Sequence, residues 1–144
     1  MHVENNMVLE NLLDKKYPHA SFHDSLLNNL QLDYLSRKAE FHMELCVGNP
    51  NDPDGEKREA HAKGILTFND FLFCILEPPD HKYNFNDSGG LWITSDGPIA
   101  SLKDNKLSNL INTIPENAFA HHFFNNHWNS FIYIAAMSAE FRWD

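Results

Sequence analysis

The chain has 144 residues, 42% of them hydrophobic, and a formal net charge of −9. A domain of this size can bury roughly 70% of the surface that its unfolded form exposes, so we expect one globular domain spanning residues 1–144 rather than a disordered chain. The acidic balance, without a cluster of Lys and Arg, argues against direct binding of nucleic acid or of an anionic membrane surface. With no apolar run near the ~20 residues of a membrane span and no secretory leader pattern, we expect a cytoplasmic protein.

The first half of the chain predicts a short helix and three strands. Leucines at helical spacing favour a helix within Asn6–Lys16. Apolar and polar residues alternate in Leu26–Tyr34 and in Ala39–Val47, which predicts two half-buried antiparallel strands. In the first strand the even positions are expected to face the core. Turn-forming residues fill Gly48–Arg58, which we expect to be a loop, and alternation in Glu59–Phe68 predicts a third strand.

The second half predicts shorter strands and a second helix. Phe71–Leu76 is apolar at every position, as in a strand buried on both faces, and Asp80–Gly90 is expected to be a loop. Asp96-Gly97-Pro98 predicts a turn, and a stripe of apolar residues predicts a helix near residues 104–114. Trp128–Trp143 is apolar on both faces, as in a central strand or in a strand that lies between a sheet and a helix. The other predicted strands are Leu91–Ser95, Ile99–Leu102 and Phe119–Phe124.

These elements predict an α+β fold: a twisted antiparallel sheet, or a flattened barrel or sandwich, of six to eight strands with two short helices. No linker rich in Gly, Pro or Ser divides the chain. The two cysteines, Cys46 and Cys74, are expected to be buried free thiols among apolar neighbours rather than a disulfide framework.

The nine histidines do not form a recognisable metal site. No His-x-His occurs, and the adjacent His121 and His122 would point to opposite faces of a strand. His122 could join His127 across a turn, but a third ligand is missing. The loop Asp52-Pro53-Asp54-Gly55 lacks the acidic first and twelfth positions of a calcium loop. We therefore expect no metal and no cofactor.

His23 and Asp24 are the one adjacent pair that suggests chemistry. A neutral imidazole beside a carboxylate can act as an acid/base pair, and His122 or His127 is the candidate third member that the fold could bring to it. The same two residues can instead fix the backbone where a strand begins. Both interpretations stay open at the level of sequence, and no catalytic residue is assigned.

The solvent face of the first hairpin suggests a different function, which is recognition of a protein partner. Flat antiparallel sheets can present side chains to a partner without any pocket, and an acidic surface speeds encounter with a basic protein. The candidate partner-binding residues are Asp33, Glu40, His42, Glu44, Asp52 and Asp54.

The opening segment also resembles a known group of proteins. The residues that carry the resemblance are Phe22-His23-Asp24-Ser25, Leu30-Gln31-Leu32-Asp33-Tyr34 and Phe41-His42-Met43-Glu44-Leu45. They look like the start of small bacterial immunity-type domains, closest in style to the immunity protein 50-like group. The resemblance implies a non-catalytic protein that neutralises a toxin enzyme and carries no cofactor.

Three hypotheses follow. The first is a non-catalytic domain that binds a basic protein such as a toxin. The second is a small hydrolase or ligand-binding enzyme that uses His23 and Asp24. The third is a structural or self-associating domain. The sequence leaves the oligomeric state open.

Overall fold

Two antiparallel sheets form the architecture of this protein, for which a computed structural model describes residues 8–13, 16–80, 82, 89–102 and 107–144. The first sheet has five strands in the order β5–β1–β2–β3–β9, and the second has four in the order β4–β8–β7–β6. The expected α+β class is confirmed, with two open sheets rather than a closed barrel. The five-stranded sheet contains β1 (Ser21–Asp33), β2 (Lys38–Cys46), β3 (His61–Asn69), β5 (Leu91–Ile93) and β9 (Ser138–Trp143). The four-stranded sheet contains β4 (Phe73–Leu76), β6 (Ser95–Pro98), β7 (Phe119–Asn125) and β8 (Ser130–Ala136).

The main core lies between the two sheets and consists largely of aromatic rings. Phe41 and Phe68 of the five-stranded sheet pack against Phe123 of the four-stranded sheet, with ring centroids 5.4 and 6.4 Å from it. All three rings are buried. A second cluster covers the other face of the four-stranded sheet, so this sheet is buried on both sides. Its buried members are Ile99, Ile111, Ile114, Ala118, Ala120, Tyr133 and Ala135.

Helical structure is short. The described residues contain α1 (Gly55–Arg58) and α2 (Ser108–Ile111), and 3₁₀ turns at Leu9–Leu12 and Ile99–Ser101. The helix predicted within Asn6–Lys16 is represented by the first of these turns, and its residues 6, 7, 14 and 15 lie outside the described residues. The helix predicted near 104–114 is represented by α2, with residues 104–106 outside. Most of the predicted loop at 80–90 also lies outside. Among the described residues, no helix has the length and apolar content required to cross a membrane.

A bulge in β1 corrects the predicted faces of the first hairpin. Leu27 pairs with Met43 and Asn29 with His42, so one extra residue, Asn28, interrupts the register. A bulge of this kind shifts the alternation by one residue. Leu27 is consequently buried, although the uninterrupted pattern placed it on the wet face.

Four further expectations are corrected by the observed strands and turns. Asp96-Gly97-Pro98 belongs to β6 rather than to a turn, which is permitted because β6 is an edge strand and Pro98 is its last residue. The predicted return strand Ile99–Leu102 is a 3₁₀ turn. The Phe71–Leu76 run supplies β4, which is an edge strand with half-buried residues and a 55% exposed Leu76, not a central one. The last predicted strand divides at Met137 into β8, which is central as expected, and β9, which joins the other sheet.

Candidate functional site

A groove opens at one end of the five-stranded sheet, where β1 begins, β2 ends and β3 begins. Its volume is about 670 Å³. Strand register creates it, because Cys46 at the end of β2 lies opposite Ser21 of β1 and opposite His61 of β3. Trp92 of the neighbouring β5 completes the wall. This end groove is lined by His19, Ser21, His23, Asp24, Cys46, Gly48, Pro50, Arg58, Glu59, His61 and Trp92.

His61 connects the start of β3 to β1 along the groove. Its Nδ1 lies 2.7 Å from the carbonyl oxygen of Glu59, and its Nε2 lies 3.1 Å from the carbonyl oxygen of Asp24. Carbonyl oxygens only accept hydrogen bonds, so a neutral ring donates to one of them and a protonated ring donates to both. The Trp92 ring meets the imidazole edge-on at 6.0 Å. Since both ring nitrogens face backbone carbonyls, His61 stabilises the groove wall rather than presenting a free base to a ligand.

His23 and Asp24 lie at the groove in a strained stretch of backbone. Asp24 has a φ of +59°, a left-handed conformation uncommon outside glycine. The Ser25 hydroxyl donates to the carbonyl of Phe22 at 2.6 Å, and the Ser21 hydroxyl accepts the N–H of His23 at 3.0 Å. The His23 Nε2 and Asp24 Oδ2 atoms are 3.5 Å apart, and the two side chains are 61% and 63% exposed. The segment therefore fixes a strand start, while its imidazole and carboxylate form a loose, solvated pair.

Neither of the two histidines considered as further members of this pair lines the end groove. His122 is buried in β7, and His127 is exposed in the turn between β7 and β8. The structure brings His19 and His61 to the groove instead. In the sequence, His61 could be placed only on the polar face of the predicted third strand. Its position opposite Cys46 depends on the pairing of β3 with β2, which the spacing of residues along the chain does not show.

Three of the candidate partner-binding residues lie together on the outer face of the five-stranded sheet. Glu40, His42 and Glu44 alternate along β2, with His42 Nε2 3.1 Å from Glu40 Oε2. Glu44 accepts a hydrogen bond from the Asn28 amide at 3.0 Å and lies opposite Lys63 of β3. The Lys63 ammonium and the His42 imidazole thus lie among the carboxylates, and this face is not uniformly acidic.

The remaining three candidates lie at opposite ends of the hairpin. Asp33 lies beside Lys38 at one end of β2, whereas Asp52 and Asp54 follow the other end, ~26 Å away at ~3.3 Å per residue. Asp33 accepts the backbone N–H groups of Leu35 and Ser36 at 2.9 and 3.1 Å. The hydrogen bonds from Ser36, followed by that from Leu35, hold the pKa of Asp33 below its usual value. Asp33 consequently stabilises the turn of the hairpin.

The segment between β2 and β3, predicted as a loop, folds into a small ordered unit beside the groove. Asp54 caps α1 by accepting the N–H of Glu56 at 3.0 Å, and Asp52 accepts the N–H of Asp54 at 2.9 Å. The Arg58 guanidinium donates to the carbonyl of Asp52 at 2.7 Å. These bonds position Asp52 and Asp54 next to the end groove, where Arg58 is a lining residue.

A second histidine–carboxylate pair lies in the four-stranded sheet. His121 Nε2 of β7 is 2.7 Å from Asp96 Oδ2 of β6, and the two side chains are only 4% and 13% exposed. They line a separate cavity of about 230 Å³ that is bounded by Leu9 and Pro98. Sequence reasoning missed this pair because its members are far apart in the chain and Asp96 was assigned to a turn.

The neighbouring His122 lies in the same strand and is also buried. Among the described residues, its Nδ1 is the one buried side-chain nitrogen or oxygen without a hydrogen-bond partner. Burial lowers the pKa of His122 to about 4, the charge of His121 adds to the effect, and Asp96 opposes it. The ring is therefore neutral in the folded protein near pH 7.

Neither site gathers metal ligands. Within the described ranges, no group of three or more His, Cys, Asp or Glu side chains is close enough to hold a metal ion. Cys46 and Cys74 are both free thiols, as expected, but they are half-buried rather than buried. Burial raises the pKa of the Cys74 thiol to about 11, which makes it a poor nucleophile.

Comparison with protein-family models, with curated proteins and with solved structures finds no match to this chain. The resemblance to immunity-type domains therefore stays a prediction from the opening hairpin.

Proposed function

We propose that this protein is a non-catalytic binding domain whose end groove receives a basic segment of a protein partner. The observation that carries the proposal is Trp92, a large aromatic side chain that is 38% exposed inside a concave site. Trp and Arg dominate the binding energy of protein interfaces when they are covered by a partner. Two residues with carboxylate side chains, Asp24 and Glu59, line the same groove as Trp92.

The charges around the groove favour a cationic ligand. Asp52, Asp54 and Glu56 lie on the adjoining ordered segment, and Arg58 already donates to the Asp52 carbonyl. A Lys or Arg side chain of the partner over the Trp92 ring would gain about 0.5 to 2 kcal/mol from the cation–π interaction. The net charge of −9 would also steer a basic partner toward the protein.

The outer face of β2 extends this proposed contact. Glu44 lies two residues before Cys46 on the same face, so a partner segment leaving the groove would pass over Glu44, His42 and Glu40 in turn. Asp33 lies at the far end of the hairpin and is left out of the proposed contact.

Binding is better supported than acid/base chemistry in the groove. A general base needs a side chain that its surroundings hold in one orientation. The His23 side chain is mostly exposed, and its Nε2 lies 3.5 Å from Asp24 Oδ2, so Asp24 does not hold it in this way. His61 has both nitrogens directed at carbonyl oxygens. The form of the binding function that the resemblance suggests is an inhibitor that covers the active site of a basic toxin enzyme.

Quantitative affinity capture from the native cell lysate at low salt tests the proposal. The bait proteins are the wild type, the groove variants Trp92→Ala and Glu59→Gln, and two controls. The controls remove an exposed side chain of the same kind elsewhere: Leu35→Ala, in the hairpin turn and 98% exposed, and Glu116→Gln, exposed before β7. We expect the wild type and both controls to retain equal amounts of one basic protein. Trp92→Ala should lower the retained amount of that protein at least about tenfold.

Two results would contradict the proposal. One is a partner retained equally by all five baits, which would place the interface elsewhere. The other is capture of no protein above background by a folded wild-type bait.

A further inference from the structure

The buried pair of His121 and Asp96 lies at the margin of the main core, away from the end groove. Along β7, His121 alternates with Phe119 and Phe123, both of which belong to the core between the two sheets. The ring centroids of His121 and Phe123 are 5.1 Å apart. Replacing a buried ion pair by apolar side chains of similar volume often leaves stability unchanged or raises it. A buried titratable pair that lines a cavity is therefore a candidate for a functional site.

The two ring nitrogens of His121 have different surroundings. Nε2 lies 2.7 Å from Asp96 Oδ2, and an ionised carboxylate only accepts hydrogen bonds, so Nε2 carries a proton. Within the described part of the chain, no hydrogen bond reaches Nδ1. Among the described side chains, the one nitrogen or oxygen that is both fully buried and unpartnered belongs to His122. Nδ1 of His121 therefore keeps some access to solvent, and in the neutral ring it is a hydrogen-bond acceptor.

The cavity of about 230 Å³ that His121 lines provides this access. Leu9 of the first 3₁₀ turn and Pro98 of β6 belong to its mostly apolar wall. An apolar cavity of about 150 Å³ holds a benzene molecule. The cavity beside His121 therefore has room for a single six-membered ring with a substituent.

The charges of the lining determine which class of ligand is favoured. Two residues with carboxylate side chains, Asp96 and Glu10, line the cavity and disfavour an anion. Both already accept a hydrogen bond, Asp96 from His121 and Glu10 from the Ser21 hydroxyl at 3.1 Å. A cation would lose its hydration in a cavity with apolar walls, which is costly. A neutral molecule with an apolar ring and one hydroxyl group matches both the wall and the acceptor.

We propose that this cavity is a second binding site, which takes a small neutral phenol whose hydroxyl donates to Nδ1 of His121. Asp96 is the positioning residue, because it holds the proton on Nε2 and so fixes the tautomer in which Nδ1 accepts. The ring of the ligand packs against the apolar wall. The second site is separate from the end groove, because no residue lines both.

Titration with phenol and with toluene at about pH 8, where an unperturbed histidine is neutral, tests the hydroxyl contact. The probes are similar in size, but toluene has a methyl group in place of the hydroxyl and is more hydrophobic. A purely apolar cavity prefers toluene, because burying the phenol hydroxyl without a partner is costly. We expect the wild type to bind phenol more tightly. The amide resonances of Leu9 and Gly97 should shift, whereas those of Trp92 should not. The nitrogen resonance of His121 Nδ1 should shift with phenol and not with toluene.

Replacing the buried pair by apolar residues removes the acceptor without leaving a buried charge. In the double variant His121→Phe/Asp96→Val, toluene should become the tighter ligand, and the ratio of phenol to toluene affinity should fall at least about tenfold. The matched control is His42→Phe/Glu40→Val, the same kind of replacement in the histidine–carboxylate pair on the outer face of β2. This control should keep the wild-type preference for phenol. If the double variant does not fold, the wild-type titrations decide alone.

Three results would overturn the proposal. The first is the absence of a saturable shift at Leu9 and Gly97 with phenol up to about 10 mM. The second is a wild type that prefers toluene, and the third is a folded double variant with the wild-type preference. None of them bears on the end groove, whose test is the capture of a protein partner.

Discussion

Two histidine–carboxylate pairs in this protein differ in almost every physical respect. His23 and Asp24 are adjacent in sequence, yet their Nε2 and Oδ2 atoms are 3.5 Å apart and both side chains are mostly exposed. His121 and Asp96 are far apart in sequence, yet their Nε2 and Oδ2 atoms are 2.7 Å apart and both side chains are largely buried. In the first case adjacency in the chain brings the residues together without a close contact between their side chains. In the second, the pairing of β6 with β7 brings them into contact.

The difference shows what adjacency in sequence is worth. Successive residues of an extended chain point to opposite sides, so a neighbour is rarely a good hydrogen-bond partner. The tight pair arises because Pro98 is opposite His121 and Asp96 lies two residues before it on the same face of β6. The exposed pair should contribute little to stability and the buried pair much more.

The largest expected effect is the loss of the buried pair. Asp96→Ala leaves Nε2 of the buried His121 without its partner, and should lower the free energy of unfolding by about 2 to 4 kcal/mol. Asp24→Ala removes the carboxylate of the exposed pair. Urea denaturation of single and double variants gives the coupling energy of each pair. We expect more than about 1 kcal/mol for His121 with Asp96 and less than about 0.5 kcal/mol for His23 with Asp24. A larger coupling energy for His23 with Asp24 than for His121 with Asp96 would show that burial does not strengthen the second pair.

The second effect depends on pH and belongs to His122. Its pKa is about 4 in the folded protein, against 6.5 for the ordinary side chain. Above pH 6.5 the His122 ring is neutral in both the folded and the unfolded protein, so its titration does not change the free energy of unfolding. As pH falls from 6.5 to 4, the unfolded chain takes up a proton that the folded protein does not, so stability decreases by about 2 to 3 kcal/mol and then levels off.

Unfolding measured from pH 7.5 to 4 in wild type and in His122→Phe isolates this contribution. Phe is an apolar ring that also removes the unpartnered Nδ1, and it should flatten the decrease. The exposed His127→Gln is the control and should leave the wild-type slope in place. Equal slopes in wild type and His122→Phe would show that the ring is not held neutral.

The same two regions show how far the sequence predicted the fold and the site. Alternation located β1, β2 and β3 because one face of each is buried and the other is wet. It could not locate the bulge at Asn28, since two consecutive leucines before it fit either face. Turn propensity assigned Asp96-Gly97-Pro98 to a turn. Propensity contains no information on strand order, so it could not show that this segment is an edge strand, which tolerates Pro at its end.

The candidate site was less predictable than the fold. Sequence placed Asp52 and Asp54 in a polar segment after the second strand, and that segment borders the end groove. Trp92 and His61 entered the groove only through the pairing of β5 with β1 and of β3 with β2. Such pairings depend on strand order, which no local pattern in this chain encodes.

A smaller effect is expected when the groove loses its bridging histidine. His61→Ala removes the contacts with the carbonyls of Glu59 and Asp24, which are partly exposed to water, and should lower stability by about 1 kcal/mol. The emission of Trp92, whose ring lies against His61, should change with it. His19→Ala, a groove residue without a described hydrogen bond, should have neither effect. If His61→Ala lowers the free energy of unfolding as much as Asp96→Ala does, the contacts of His61 contribute as much to stability as the buried pair, which contradicts the prediction.

The smallest effect concerns the backbone of Asp24 rather than its charge. At a φ of +59° a side chain other than glycine is strained, so Asp24→Gly should raise stability by a few tenths to about 1 kcal/mol. Asp70, at a φ of +52° without a histidine beside it in sequence, is the matched control, and Asp70→Gly should give a similar gain. If Asp24→Gly instead lowers the free energy of unfolding while Asp70→Gly raises it, the carboxylate of Asp24 outweighs its backbone strain. The Asp24 carboxylate would then stabilise the fold through His23 despite their 3.5 Å separation, and His23 would again be a candidate general base held in place by Asp24.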